Sequence, residues 1–482
     1  MSGEESERLH KTEEAGEQSP TGPSGGEGGR REMGLFGGKM GETSSSQTVS
    51  TKLERIAELA RRAPTMVLTT LMHHVDLEWL REAYRRTRKD GATGVDGQTA
   101  EQYEQELEGN LQALLERVKS GTYRAPPVRR VYIPKGEGSE KRPIGIPTFE
   151  DKVLQRAVAM VLEAVYEQDF FDSSYGFRPG RSAHQALEEL RNRLMEMRGG
   201  WVIEVDIRKF FDTVDHHRLM EILGRRVRDG ALLKLIGKWL KAGVMEGGDV
   251  RHPETGTPQG GVISPLLANI YLSEVLDAWF ERDVKPRLRG RAFLIRYADD
   301  AVMAFSDEED ARRVMDVLPK RFGSYALALH PDKTRVVGFV QPPKNAASAL
   351  DGAAPGSFDL LGFTHFWARS RKGHWVVKRR TAKDRFRRAL KRIAEWCRRN
   401  RHEPIQKQQR KLAEKLRGHM GYFGIPGNSE GISRFREAVV EVWLKWLRRR
   451  SQRAGVTWDR FKEWMARFPL PPARLKHPYS PA

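Results

Sequence analysis

Apolar residues recur at helical spacing along several stretches of this chain. Leu53, Ile56, Leu59 and Ala60 mark a first helix that breaks at Pro64. Leu77 to Arg86 predicts a second. Gln102 to Lys119 predicts a third, with Leu107, Leu111, Leu114 and Leu115 on one face. The same period governs residues 381–450: Phe386, Leu390, Ile393 and Trp396, then Leu412, Leu416, His419 and Phe423. Gly421-Tyr422-Phe423-Gly424 interrupts it, and Phe435, Val439, Val442 and Leu447 resume it. Two stretches read instead as strands. Trp201 to Val205 is an apolar run ending in Asp206, and Phe293 to Phe305 is two short apolar runs around a tight centre, the pattern of a β-hairpin. Residues 1 to about 50 are rich in Gly, Ser and Glu and too poor in large apolar groups to offset the entropy of ordering, so disorder is expected there. No internal repeat is visible. No run of 18 apolar residues predicts a membrane helix, and the N-terminus lacks the apolar core of a secretory signal. A soluble cytoplasmic protein is expected.

Composition sharpens this picture through charge. The chain has 482 residues, with 84 Lys and Arg against 64 Asp and Glu, a formal net charge of +20. Its length predicts about three domains, and its basic balance favours a polyanionic partner, nucleic acid ahead of a membrane surface. The excess is concentrated. Between Arg369 and Arg453 lie 27 Lys and Arg and 7 Asp and Glu, an excess equal to that of the whole chain. Such a density repels itself unless a polyanion neutralises it. The single cysteine, Cys397, excludes an intrachain disulfide framework and a paired-cysteine zinc site, and fits a reducing compartment.

The candidate chemistry is carried by carboxylates. The strand at Trp201–Val205 delivers Asp206 at its end, a rigid way to hold a metal ligand. The hairpin centre is Tyr297-Ala298-Asp299-Asp300, two adjacent acids that ionise together cheaply only beside cations. Read alone, each is also an ordinary turn or capping acid. Together, an Asp on one strand and an Asp pair on a hairpin suit two Mg²⁺ ions, held roughly 3.5–4 Å apart in polymerases.

The Tyr297–Asp300 hairpin resembles the catalytic motif of reverse transcriptases, and the surrounding blocks agree in order. They are Arg130-Val-Tyr-Ile-Pro-Lys135 with Lys141-Arg142-Pro-Ile-Gly-Ile-Pro147, then Ser174-Tyr-Gly-Phe-Arg178-Pro-Gly-Arg181-Ser-Ala-His184, and then Gly256-Thr-Pro-Gln259-Gly-Gly261-Val-Ile-Ser264-Pro265-Leu-Leu-Ala-Asn269. His330-Pro-Asp-Lys333-Thr334 and Leu360-Leu-Gly-Phe363 complete the set. Over residues 70 to 450 the chain is similar to the bacterial group II intron-encoded reverse transcriptase/maturase family.

The resemblance implies an α+β fold: a right-hand polymerase, fingers and palm with an antiparallel sheet over residues 51–368, followed by a basic α-helical thumb or maturase domain over 369–455. Residues 1–50 would be a disordered extension and 456–482 a short tail, with no endonuclease domain of the paired-cysteine kind. It implies an RNA-directed DNA polymerase that extends a primer on an RNA template and assists splicing and mobility of its group II intron RNA. The partners implied are that RNA, an RNA template–DNA primer duplex, target DNA and deoxynucleotide triphosphates, with no membrane. The location implied is the bacterial cytoplasm, at the nucleoid during action on DNA. Two Mg²⁺ ions are implied, with Asp206, Asp299, Asp300 and the Ile207 backbone as ligands. Lys135 and Arg142 would hold the triphosphate, Gln259 would contact the incoming nucleotide, and Lys333 would protonate the leaving pyrophosphate or hold its charge. Phe211 would stack under the sugar and exclude a ribose 2′-hydroxyl. Without the resemblance it reads equally well as a core residue. Two other readings stay open: an RNA-binding splicing factor whose polymerase face is unused, and a retron- or defence-type reverse transcriptase outside any intron.

Overall fold

The computed structural model describes residues 40–134, 141–246, 248–251, 255–256, 260–344, 356–450 and 455–477, with side chains from Thr48 onward. The chain opens with α1 (Met40–Arg62), α2 (Leu77–Arg86), α3 (Ala100–Glu104) and α4 (Leu107–Lys119). A strand pair follows, β1 (Val128–Pro134) and β2 (Lys141–Ile146), then α5 (Phe149–Tyr166) and α6 (Ala183–Met197). Next come β3 (Trp201–Val205), α7 (Phe210–Thr213), α8 (His216–Arg226), α9 (Gly230–Leu240), β4 (Val244–Glu246) and β5 (Asp249–Arg251). Then follow α10 (Ser264–Leu272), the hairpin β6 (Ala292–Tyr297) and β7 (Asp300–Phe305), α11 (Glu308–Gly323) and β8 (Arg335–Gly338). The remainder is β9 (Phe358–Leu360), β10 (Phe363–Arg369), β11 (Trp375–Thr381), α12 (Lys383–Arg399), α13 (Ile405–Phe423), α14 (Ser429–Arg448) and α15 (Trp458–Arg467). The fold is α+β, as expected.

The central sheet has the order β6-β7-β3-β8 and is antiparallel throughout. Its strands bury both faces, and the side-chain period of two divides them between two cores. Ile203, Val205, Ala301, Met303 and Phe305 enter a large core shared with α1 to α5 and α8 to α11. Val202, Val302, Ala304 and Ile295 enter a second core, closed by α6 and by the sheet β11-β10-β9. The third sheet, β2-β1-β4-β5, is antiparallel except that β1 runs parallel to β4. The C-terminal helices form a core of their own around Leu412, Leu416, Val439 and Trp443.

Five boundaries differ from the sequence reading. Helix α1 begins at Met40, inside the stretch expected to be disordered to residue 50. Val49, Ile56 and Ala60 fall on one buried stripe and pack on α5, while the polar residues around them face away; Leu59 is exposed. The expected helix at 102–119 is two. A capping box of Thr99 and Gln102 starts α3, and Glu106, at φ −126° and ψ 42°, separates it from α4.

The boundary placed at residue 369 cuts a β-hairpin. Phe363, His365 and Trp367 alternate inward and pair with Thr381, Arg379 and Val377, and Arg369 itself pairs with Trp375, so the helical part begins at Lys383. Helix α13 also runs through Gly421 and ends only at Gly424. Finally, the tail after residue 456 is not appended to the helical bundle but built into it. Val456, Phe461 and Leu470 are buried in its core, Gln409 donates to the Pro469 carbonyl at 2.7 Å, and Arg436 donates to that of Pro471 at 2.9 Å. Further on, the Lys476 amide donates to the Gly424 carbonyl at 2.8 Å, and the His477 ring stacks at 3.9 Å on His184 of α6.

Phe461 is 1 % exposed and meets Trp443 edge to face at 5.5 Å. Phe461→Ala is therefore expected to destabilise the C-terminal bundle by about 3–5 kcal/mol. Urea unfolding followed by circular dichroism measures this; a midpoint equal to wild type would mean that the tail lies free.

Candidate active site

The centre of the site is the tip of the β6–β7 hairpin. Tyr297 pairs with Asp300, leaving Ala298 and Asp299 as a two-residue turn. Ala298 takes φ +55°, a left-handed conformation that costs a non-glycine residue about 1–2 kcal/mol. Three contacts hold it. Gly176 lies so close that a Cβ there would fall 2.3 Å from the Ala298 amide nitrogen, so only glycine fits. The Tyr175 amide donates to the Arg296 carbonyl at 2.8 Å, and the Arg296 amide donates to that of Ser173 at 2.8 Å. Arg296 itself is fully buried, with its guanidinium bonded to Asp277 at 2.7 and 2.5 Å, to the Asn269 side-chain oxygen at 2.9 Å and to the Ala298 carbonyl at 3.0 Å. Asn269 closes the ring by donating to the Gly176 carbonyl at 2.6 Å. Asp277 reaches inward from a π-helical continuation of α10, Ser273–Ala278, a widened turn of the kind often found at functional sites.

The second carboxylate stands beside this turn. Val205 pairs with Ala301, so one position further along the two antiparallel strands Asp206 comes next to Asp300. The His330-to-Thr334 turn fixes its backbone. The His330 amide donates to the Asp206 carbonyl at 2.8 Å, Thr334 Oγ1 lies 3.3 Å from both the amide and the carbonyl of Asp206, and Ile207 bridges to Leu329. Lys333 Nζ pairs with Asp206 at 3.3 Å.

The three acids act on one another. Burial and the charge of Asp206 raise the pKa of Asp299, while Arg142 on β2 and the buried Arg296 oppose the shift. Asp300 is raised by desolvation among its neighbours, then by Asp299 and Asp206, and is opposed by Arg385 of α12 and by Arg142. Its side chain remains open to solvent, which moderates the shift. Cations from the strand side and from the first turn of α12 thus complement one carboxylate cluster, and a divalent ion would complement it further. Among the described residues no group of three or more His, Cys, Asp or Glu side chains is placed to hold a metal ion. An open set of carboxylates fits Mg²⁺, which keeps waters and takes substrate phosphates as its remaining ligands.

Lys135 and Gln259 lie outside the described residues. The glycines flanking Gln259 are described and show what its loop joins. A Cβ on Gly256, at φ +94°, would approach the carbonyls of Phe211 and Asp212 at 3.0 and 3.1 Å. One on Gly260, at φ +107°, would approach Ile144 Cγ2 at 2.6 Å and the Gly145 carbonyl at 2.7 Å. Gly256 therefore lies against the Phe211 turn, and Gly260 against the β2 strand that carries Arg142. Phe211 is half-buried on α7, edge to face with Phe210 at 5.2 Å, next to the large core. Arg385, Gly176 and the Arg296–Asp277–Asn269 ring were missed from sequence. An arginine inside an otherwise apolar strand and an asparagine inside the apolar run Ser264–Leu272 were the available signals.

Comparison with known proteins adds an independent finding. Residues 133–365 match the family described as reverse transcriptase (RNA-dependent DNA polymerase). Protein YkfC of Escherichia coli (strain K12) is 36% identical over 328 residues, covering 60% of this chain and 84% of that protein. Group II intron-encoded protein LtrA of Lactococcus lactis subsp. cremoris is 34% identical over 303 residues, covering 60% of this chain and 50% of that protein. Nuclear intron maturase 4, mitochondrial, of Arabidopsis thaliana is 31% identical over 133 residues, 27% of this chain and 16% of that protein. The chain thus spans most of YkfC but about half the length of LtrA.

Replacing Arg296 by Met would strand the Asp277 carboxylate in the core. Arg296→Met is expected to destabilise by about 3–5 kcal/mol, and Arg296→Met with Asp277→Leu to recover part of that loss, because the pair is then removed rather than broken. Urea unfolding of the two variants beside wild type tests it; equal stability of both variants would show that the ion pair does not set the cost.

Proposed function

The chain belongs to the reverse transcriptase family, the RNA-directed DNA polymerases, and from that premise we propose which residues carry the reaction and on what. Reverse transcriptases generally work with divalent metal. Here Asp206, Asp299 and the Ile207 backbone carbonyl would hold two Mg²⁺ ions, with Asp300 in support. When bound, the ions lower the pKa of the primer 3′-hydroxyl and stabilise the leaving oxygen of an in-line displacement at the α-phosphorus. The observation that carries this reading is the side-by-side placement of Asp206 and the Asp299–Asp300 pair on adjacent strands of one sheet.

The protein's own groups position and neutralise. Arg142, whose field reaches both Asp299 and Asp300, takes triphosphate oxygens with its planar fork, and Lys135 joins it as a point charge. Lys333, paired with Asp206, is placed to hold charge on the departing pyrophosphate. Gln259 contacts the incoming nucleotide. Phe211 lies beneath the sugar and leaves no room for a 2′-hydroxyl. Catalysis is then chiefly orientation and charge stabilisation, as phosphoryl transfer requires.

The likeness to LtrA and to an intron maturase, with the basic helices α12 to α14, supports a second role: assistance to splicing and mobility of a group II intron RNA. The proposed partners are that RNA, an RNA template–DNA primer duplex, target DNA and deoxynucleotide triphosphates. No described helix is long and apolar enough to cross a membrane. The proposed place of action is the bacterial cytoplasm, at the nucleoid. A splicing factor with an unused polymerase face is disfavoured because three acids are held together against their own repulsion.

Two measurements test the residue assignments. Asp299→Asn is expected to lower Mg²⁺-dependent primer extension on an RNA template by about 100-fold or more. Extension at the wild-type rate would refute the site. Phe211→Val is expected to raise ribonucleotide incorporation relative to deoxynucleotides by roughly 10-fold or more. An unchanged ratio in a competition assay would return Phe211 to the core.

A further inference from the structure

Helix α12 carries two basic flanks, and only one of them belongs to the polymerase cleft. At 100° per residue, Phe386, Leu390, Ile393 and Cys397 share the face that packs into the bundle. Arg385 stands on one flank of that face, and its charge is felt at Asp300. Lys383, Arg387 and Lys391 stand on the other flank, at i, i+4 and i+8, so they follow one another about 6 Å apart along the axis. Asp384 pairs with Arg385 and Arg388. Lys383, Arg387 and Lys391 make no ion pair among the described residues.

That second flank borders a groove of about 630 Å³ between α12, α14 and the end of β11. Arg380 and Arg434, the latter paired with Glu430 at 3.2 Å, complete a rim of five cations. The remaining lining is mostly apolar, Phe386, Leu390, Ala394 and Val442, with Thr381 and Asn428 at one end. A solvated helical surface would need no such floor. A nucleic-acid duplex would use the cations and leave the floor empty, because its bases are stacked inward. An unpaired nucleotide uses both: phosphates along the cationic row and a base against the apolar floor. The volume is within the range of small-ligand sites.

We propose that this groove binds an unpaired nucleotide segment of a structured RNA, on the side of α12 turned away from the catalytic carboxylates. The proposal rests on the reading that the chain binds RNA. It adds a second contact outside the cleft, which lets one RNA be held while another strand is copied.

The test uses the full chain and two RNA hairpins of the same stem, one blunt and one with a single-stranded adenosine extension, in fluorescence anisotropy titrations over a range of salt. Wild type is expected to prefer the extended hairpin by roughly 5-fold or more. Ala394→Leu, which fills the groove and keeps every charge, is expected to bring that preference close to one. Arg387→Gln with Lys391→Gln is expected to lower the salt slope on the extended hairpin by roughly 0.7 for each charge removed. Equal binding of the two hairpins by wild type overturns the groove, as does an undiminished preference in Ala394→Leu or an unchanged slope in the double variant. Failure of wild type to bind either hairpin overturns the RNA-binding reading itself, and the groove with it.

Discussion

The buried ion pair between Arg296 and Asp277 is the constraint on which the site depends. Both side chains are wholly out of water, so the pair carries a large desolvation cost and only good geometry offsets it. That geometry is present: two bonds to Asp277, one to Asn269 and one to the Ala298 carbonyl. The last of these places the arginine under the very turn that holds Asp299. A hairpin tip with alanine at positive φ and two adjacent acids is poorly stable by itself. Here it is clamped from below by a guanidinium and from the side by the Gly176 backbone, and the repulsion between the carboxylates is borne by a rigid support.

The same logic explains why cations come from three places. Arg142 arrives on β2, Lys333 on the turn after α11, and Arg385 on the first turn of α12. Each belongs to a separate element. The carboxylates can therefore stay close together in a cleft that stays open to substrate, since no single element has to block it in order to neutralise it. Gly256 and Gly260 use backbone proximity for a related purpose, the first against the Phe211 turn and the second against β2.

Much of this was legible in the chain. The alternating run at Trp201–Val205 and the two apolar runs around Ala298 gave the strands and placed all three acids, because strands with apolar faces impose their period strongly on sequence. Other features were hidden for physical reasons. The partner of Arg296 is 19 residues away and meets it only through a widened helical turn, which no local pattern encodes. Helix α1 starts at Met40 because a tertiary surface receives Val49, and the polar composition around it masks that single anchor. The hairpin Phe363–Thr381 was cut at residue 369 because the charge begins to rise inside it: Arg379 and Arg380 are strand residues, and Arg379 is buried against Glu188. Charge density marked a basic C-terminal segment and misplaced the start of its helices, which begin at Lys383.

The return of the chain to Gly424 and His184 has a mechanical meaning. The helical bundle leaves the sheet once, covalently, where Thr381 leads into α12. It is fastened a second time where Tyr422 and His477 meet His184 on α6. Between those two fastenings Asn428 bonds both the amide and the hydroxyl of Thr381, Tyr422 donates to the Leu361 carbonyl, and Leu187, Phe363 and Ile425 share an apolar cluster, so the joint is a broad seam rather than a pivot and the sheet sets where α12 stands over the cleft.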